Sequence, residues 1–154
     1  MNTDNTIYGV AQNPHNPLRT TSGSSGGEGG LAAAKCSPLG LGTDIGGSIR
    51  SPASFCGVYG FKPTPYRTSY LGSVIPAPDF SLPQTTIIPS MGPIASSVND
   101  IKVMTEVLFR AYQQDSMLPP LPFNNETYNA LIQPKSQRKL RIGYYDTLPL
   151  FESS

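Results

Sequence analysis

The sequence predicts an α/β chain on three observations: a helix-forming alanine stretch at residues 31–34, short apolar segments of strand length at 39–42, 57–62 and 140–145, and an amphipathic run at 98–112. Residues 8–25 come first and are turn-rich, because Asn13-Pro14 and Asn16-Pro17 flank the lone His15 and an Asx residue before proline favours extended or turn geometry. A helix is then predicted over 28–35 around Leu31-Ala32-Ala33-Ala34, its N-terminus offering free N–H groups to the loop before it. Leu39-Gly40-Leu41-Gly42 reads as a short buried strand, and 57–62, with Val58, Tyr59 and Phe61, as another that Pro63-Thr64-Pro65 ends. The next element is a helix over 98–112, with Ser97 as N-cap and Asp100 completing a capping box. Ile101, Met104, Val107, Leu108 and Ala111 recur on one face, which is read as core. Residues 113–138 are polar and proline-rich and read as a long surface connection; Leu140 to Tyr145 alternates as a strand. The organisation expected is therefore a domain segment at 1–112, a connection at 113–138 and the start of a further part at 139–154.

Composition narrows the function classes. The 154 residues suit one domain with a modest core, and 16 prolines with 15 glycines require much of it to be loop. Eleven basic residues against 10 acidic ones provide no basic face for nucleic acid. No basic-then-apolar leader opens the sequence and no apolar run nears the ~20 residues of a membrane span, so a soluble, cytoplasmic chain without evident membrane contact is expected. Cys36 and Cys56 are the only cysteines and are expected buried and reduced. With His15 they do not make the four-ligand spacing of a zinc site, so no metal is expected.

Chemistry concentrates in two glycine runs that carry serine: Ser22-Gly23-Ser24-Ser25-Gly26-Gly27-Glu28-Gly29-Gly30 and Gly42-Thr43-Asp44-Ile45-Gly46-Gly47-Ser48-Ile49-Arg50-Ser51-Pro52. Neither ends in the GK[ST] of a phosphate loop, and neither has the GxGxxG spacing of a dinucleotide fold. A hydroxyl at the end of unhindered backbone N–H groups is what acyl transfer needs, and Ser48 is the candidate nucleophile. It lacks the GxSxG frame of a nucleophile elbow, and His15 in its proline-flanked turn is read as structural, so a Ser-His-Asp triad is not expected.

Residues 22–64 together, continuing through Phe55-Cys56-Gly57-Val58-Tyr59-Gly60-Phe61-Lys62-Pro63-Thr64, resemble the amidase signature family of serine hydrolases, most of all its fatty acid amide hydrolase branch. The likeness runs from about Tyr8 to Phe109 and returns at 140–145. The resemblance implies a mixed sheet covered by helices, incomplete here at both ends. It implies a Ser-Ser-Lys triad, with Ser48 attacking an amide carbonyl and Ser24, the cis-serine, relaying its proton, so the Gly23–Ser24 peptide is expected cis. The run matching the oxyanion hole is Ile45, Gly46, Gly47 and Ser48. Ser25 is a candidate supporting hydrogen-bond partner. Thr43, Asp44 and Arg50 are read as structural, the last two fixing the loop by hydrogen bonds or an ion pair, since neither replaces a base. A small-molecule amide is the implied substrate, with no cofactor.

Three features qualify the likeness. Ser22 and Thr21 stand where the family has glycine and proline. Glu28 resembles the amide hydrolase branch, whereas the glutamine-hydrolysing subunits of tRNA-dependent amidotransferases carry a small residue there. The family's lysine lies several dozen residues before the cis-serine, and no lysine precedes Ser24 here; Lys35 and Lys62 do not match it. The expectation is a fragment that hydrolyses amides poorly alone, with a glutamine-hydrolysing subunit or an inactive interaction module as the alternatives.

Overall fold

The computed structural model describes residues 1–73, 87–132 and 141–143. Residues 4–20, which overlap the stretch 8–25 read from sequence as turn-rich, form two small antiparallel ribbons: β1 (Asp4–Asn5) pairs with β2 (Gly9–Val10), and β3 (Gln12–Asn13) with β4 (Asn16–Thr20). Asparagine makes the turns, as the Oδ1 of Asn5 accepts the N–H of Ile7 and Tyr8 and that of Asn13 accepts the N–H of His15. Helix α1 (Gly26–Ala33) follows, beginning inside the first serine-glycine run rather than after it. Strand β5 (Leu39–Asp44), helix α2 (Arg50–Cys56), strand β6 (Tyr59–Gly60), strand β7 (Ser90–Ala95) and helix α3 (Val98–Leu108) complete the unit Met1–Phe123. The expected α/β class holds.

The main sheet has the order β5-β7-β6, and both pairings are antiparallel. Its middle strand, β7, has no counterpart among the elements read from sequence, and it contains Pro93, a residue that ordinarily argues against a central strand. Register shows why proline is accepted. Pro93 lies opposite Leu41, and its carbonyl takes the N–H of Phe61 on the other side, so its absent N–H also faces the β6 side, beyond the two residues where β6 pairs. The ladder with β5 loses nothing.

Ala32 of α1, Ile49 before α2 and Ile94 of β7 form the buried core, with Val58 packed against it. Gly29 lets α1 approach α2 closely, as a Cβ there would lie 3.0 Å from the Pro52 side chain. Helix α2 ends at Gly57 in the left-handed region, φ 66°.

Helix α3 starts where expected. Ser97 caps it, its Oγ accepting the Asp100 N–H at 3.2 Å, but the capping box is not reciprocal: the Asp100 carboxylate accepts the Ser97 hydroxyl at 2.6 Å. The helix ends at Leu108, and Ala111 falls in a 3-10 turn, Ala111–Gln113. Of the expected core stripe only Ile101 is buried, and Val107 is 58% exposed, which corrects that reading. Helix α3 packs on β7 and β6, and Met104, Leu108 and Ala111 of the stripe are left half-buried.

Asn124–Ser154 forms a separate unit, in which α4 (Asn125–Ile132) lies within the stretch read as a connection. The expected strand at 140–145 is not seen at Arg141 to Gly143, and the rest of it lies outside the described residues. Among the described residues no helix is long and apolar enough to cross a membrane. Both cysteines are free; Cys56 is buried as expected, but Cys36 is exposed, because it follows the end of α1 on the surface.

Candidate active site

Asp44 organises the second glycine loop. It ends β5, its side chain is fully buried, and it accepts the N–H of Gly47 (2.7 Å), Ile49 (3.1 Å) and Arg50 (3.2 Å). The Arg50 guanidinium closes on both carboxylate oxygens at 3.0 Å as a two-pronged fork. Burial alone would push the Asp44 carboxyl up, but the Arg50 side chain and these three N–H groups together hold it well below the usual carboxylate range. Asp44 and Arg50 thus form the loop-fixing ion pair anticipated for them.

The loop leaves β5 through exposed Ile45 and Gly46, turns at Gly47 with φ 119°, a value that favours glycine, and delivers Ser48 and Ile49 into buried positions. Among the described residues the N–H groups of Ile45, Gly46 and Ser48 have no partner, whereas that of Gly47 is committed to Asp44. Of the four backbone groups anticipated for an oxyanion, that of Gly47 therefore serves the turn, and those of Ile45, Gly46 and Ser48 have no partner among the described residues.

The two glycine runs meet here. The Ser25 N–H donates to the Ser48 carbonyl at 3.1 Å, and the Ser25 hydroxyl accepts the Thr43 N–H at 3.2 Å while lying 3.4 Å from the Thr43 carbonyl. Ser25 thereby joins the first loop to the end of β5. The Gly23–Ser24 peptide is cis. Ser22 has φ 65°, a left-handed value that glycine adopts freely, at the position where the resemblance has glycine. Ser24 is exposed and Ser48 buried. Their hydroxyls are not bonded to each other; Ser48 Oγ instead faces the Met1 sulfur at 3.7 Å.

Lys62 lies elsewhere, its Nζ 3.4 Å from Ser90 Oγ and from the Pro63 carbonyl, and Lys35 is exposed after α1. His15 donates to the Cys56 carbonyl at 3.0 Å while Asn13 Nδ2 donates to that of Phe55 at 2.7 Å, so both satisfy the C-terminal end of α2. His15 is structural, as its turn suggested. A cleft of about 640 Å³ is lined by His15, Leu18, Arg19 and Phe55 among others, and by no residue of the two serine loops. Among the described residues no three His, Cys, Asp or Glu side chains gather as a metal site.

Sequence reasoning missed three neighbours of the site. Met1 and Thr3 pack on the cis-serine turn, and Tyr70 places its hydroxyl beside Thr43 and Asp44. That hydroxyl is buried without a hydrogen-bond partner among the described residues. Burial pushes the phenol up to about 12, the Thr43 side chain opposing and the Asp44 charge adding. None of the three belongs to a local motif, so no spacing in the chain marks them.

The family model described as "Amidase" matches residues 1–154. Fatty-acid amide hydrolase 1 of Sus scrofa is 44% identical over 148 residues, covering 93% of this chain and 23% of that protein. A glutamyl-tRNA(Gln) amidotransferase subunit of Archaeoglobus fulgidus is 39% identical over 141 residues, covering 92% of this chain and 27% of that protein. A solved structure of fatty acid amide hydrolase superposes with a TM-score of 0.73 at 33% identity, over 80% of this chain and 22% of that one. This chain spans roughly a quarter of the length of the relatives it matches.

Proposed function

The chain belongs to the amidase signature family, and from that premise we propose that it carries the nucleophile and oxyanion loop of a hydrolase cleaving a carbon–nitrogen amide bond through an acyl-serine, of the fatty acid amide hydrolase kind. The observation carrying this reading is the Asp44-held turn, in which four residues bring together one buried serine and three N–H groups that have no partner among the described residues. In this reading Ser48 Oγ attacks the amide carbonyl, and the oxygen that turns negative is met by the N–H of Ile45, Gly46 and Ser48. Each such donor is typically worth ~3–4 kcal/mol in the transition state. The Ser48 proton leaves through Ser24 toward a lysine that has no counterpart at the matching place in this sequence. The same proton returns to the departing amine, and water then releases the acyl group by the reverse path. The relay requires the Ser48 hydroxyl to turn from the Met1 sulfur to Ser24.

Glu28 favours this reading over a glutamine-hydrolysing subunit. Its carboxylate lies where a Cβ on Gly40 would project, so the α1–β5 contact accommodates a large acidic side chain. Labelling by an alkyl fluorophosphonate, read by mass spectrometry of the modified peptide, tests the proposal. Slow covalent addition at Ser48 on prolonged exposure to the probe, abolished by Ser48→Ala, is the expected result, since labelling needs one attack per chain whereas turnover needs the proton acceptor in every cycle. A folded chain that stays unlabelled would support the interaction-module reading instead.

A further inference from the structure

We infer that Thr3 is a positioning residue for the cis-serine turn, its single hydroxyl tying the carbonyls of Ser22 and Ser24 to the N–H of Gly26. The catalytic meaning of this tie rests on the acyl-serine reading above; the tie itself does not.

Helix α1 opens at Gly26 with Ser25 in the N-cap place, a residue type that ordinarily bonds an N–H of the first turn. Ser25 makes no such bond, because its hydroxyl is occupied by the Thr43 backbone. An N–H at the helix start is thereby left for something else to meet. Thr3 Oγ1 meets it, accepting from Gly26 at 2.9 Å. Its proton faces two carbonyls, Ser22 at 2.9 Å and Ser24 at 3.1 Å. A hydroxyl has one proton to give and two lone pairs to receive with, and this arrangement uses both capacities across the residue that the resemblance makes the proton relay.

The contact is close on both flanks. A Cβ at Gly23 would come within 2.8 Å of the Asn2 carbonyl, and one at Gly26 would run into the side chains of Thr3 and Thr21. Met1 extends the same strap, with its carbonyl 3.4 Å from Ser22 Oγ and its sulfur against Ser48. Residues 1–3 therefore touch both serine loops, and Thr3 supplies the hydrogen bonds that fix the first one. Free rotation of that turn would let the Ser24 hydroxyl drift from any geometry in which it relays a proton.

The test compares the parent chain with Thr3→Val, which keeps the shape and removes the hydroxyl, and Thr3→Ser, which keeps the hydroxyl. Two quantities are read: amide hydrogen exchange at Gly26, with Ile94 as the core reference, and the rate of Ser48 labelling by an alkyl fluorophosphonate. In Thr3→Val the Gly26 amide is expected to exchange about tenfold faster with Ile94 unchanged, the scale of one ordinary hydrogen bond, and labelling to slow by about the same factor. Thr3→Ser restores both. If Thr3→Val does not fold, Thr3→Ala reads the same hydroxyl. Unchanged Gly26 exchange would overturn the inference, and so would faster exchange with labelling unaffected, which makes Thr3 a structural clamp only. A parent chain that resists labelling would sink the nucleophile reading alone; Gly26 exchange and the Ser24 Cβ chemical shift then decide whether Thr3 holds the turn.

Discussion

Asp44 shows how one side chain holds a glycine loop in shape. Replacing it with alanine strands three backbone N–H groups near the core and leaves Arg50, 56% exposed, to water. The loss should come mainly from the stranded N–H groups, since the guanidinium is largely solvated. Asp44→Ala is expected to cost about 3–5 kcal/mol at neutral pH, measured by urea denaturation. The pH dependence has a definite sign. The folded Asp44 carboxyl lies below its unfolded value of about 3.9, so its contribution is complete above that value and disappears as pH falls through the folded one. The gap between parent and Asp44→Ala should therefore be constant from neutral pH to about 5 and narrow below 4. A gap that widened on acidification would contradict the ion-pair account.

At the scale of elements, α3 and β7 show where periodicity informs and where it misleads. The 3.6-residue stripe located α3 and its Ser97 cap, yet the pattern could not say how much of the stripe meets another surface. Ile101 is buried and Val107 is not. Strand β7 shows the converse, a central strand that pattern reading did not mark and that contains Pro93, whose missing donor falls past the end of its partner. Ile94→Ala in β7 is expected to destabilise by about 2–5 kcal/mol, because Ile94 is fully buried in the only core cluster formed among the described residues. Val107→Lys should stay within about 0.5 kcal/mol. Thermal melts of the two variants distinguish a covered α3 face from a solvated one: equal losses would mean that Val107 is packed.

At the scale of the whole molecule, the chain holds a proposed nucleophile loop and a proposed relay serine, with no lysine bonded to either among the described residues. A serine hydroxyl is a poor nucleophile at neutral pH, and a positioned base typically contributes ~10²–10⁴-fold. This chain alone is accordingly expected to turn over amides very slowly. A lysine-bearing segment fused ahead of Met1 is expected to raise kcat/KM for a fatty acyl amide by at least the lower end of that range. The measurement is release of the free amine, with Ser48→Ala as the control. Fast turnover by the unfused chain, lost on Ser48→Ala, would require a different base and refute the lysine-dependent relay.

The sequence by itself determined the α/β class, the two serine-glycine loops, the start of α3 and the pairing of Asp44 with Arg50, because each is written in residues near one another along the chain. Turn chemistry, capping and a six-residue ion pair all act over such short spans. Tertiary structure alone decided the rest: the place of β7 between β5 and β6, the solvated side of α3, and the strap that sets Thr3 on the cis-serine turn. These depend on groups brought together across about twenty residues or more, or on what happens to cover a surface. No local periodicity records such contacts, since they follow from which faces can be buried at once when the whole chain packs.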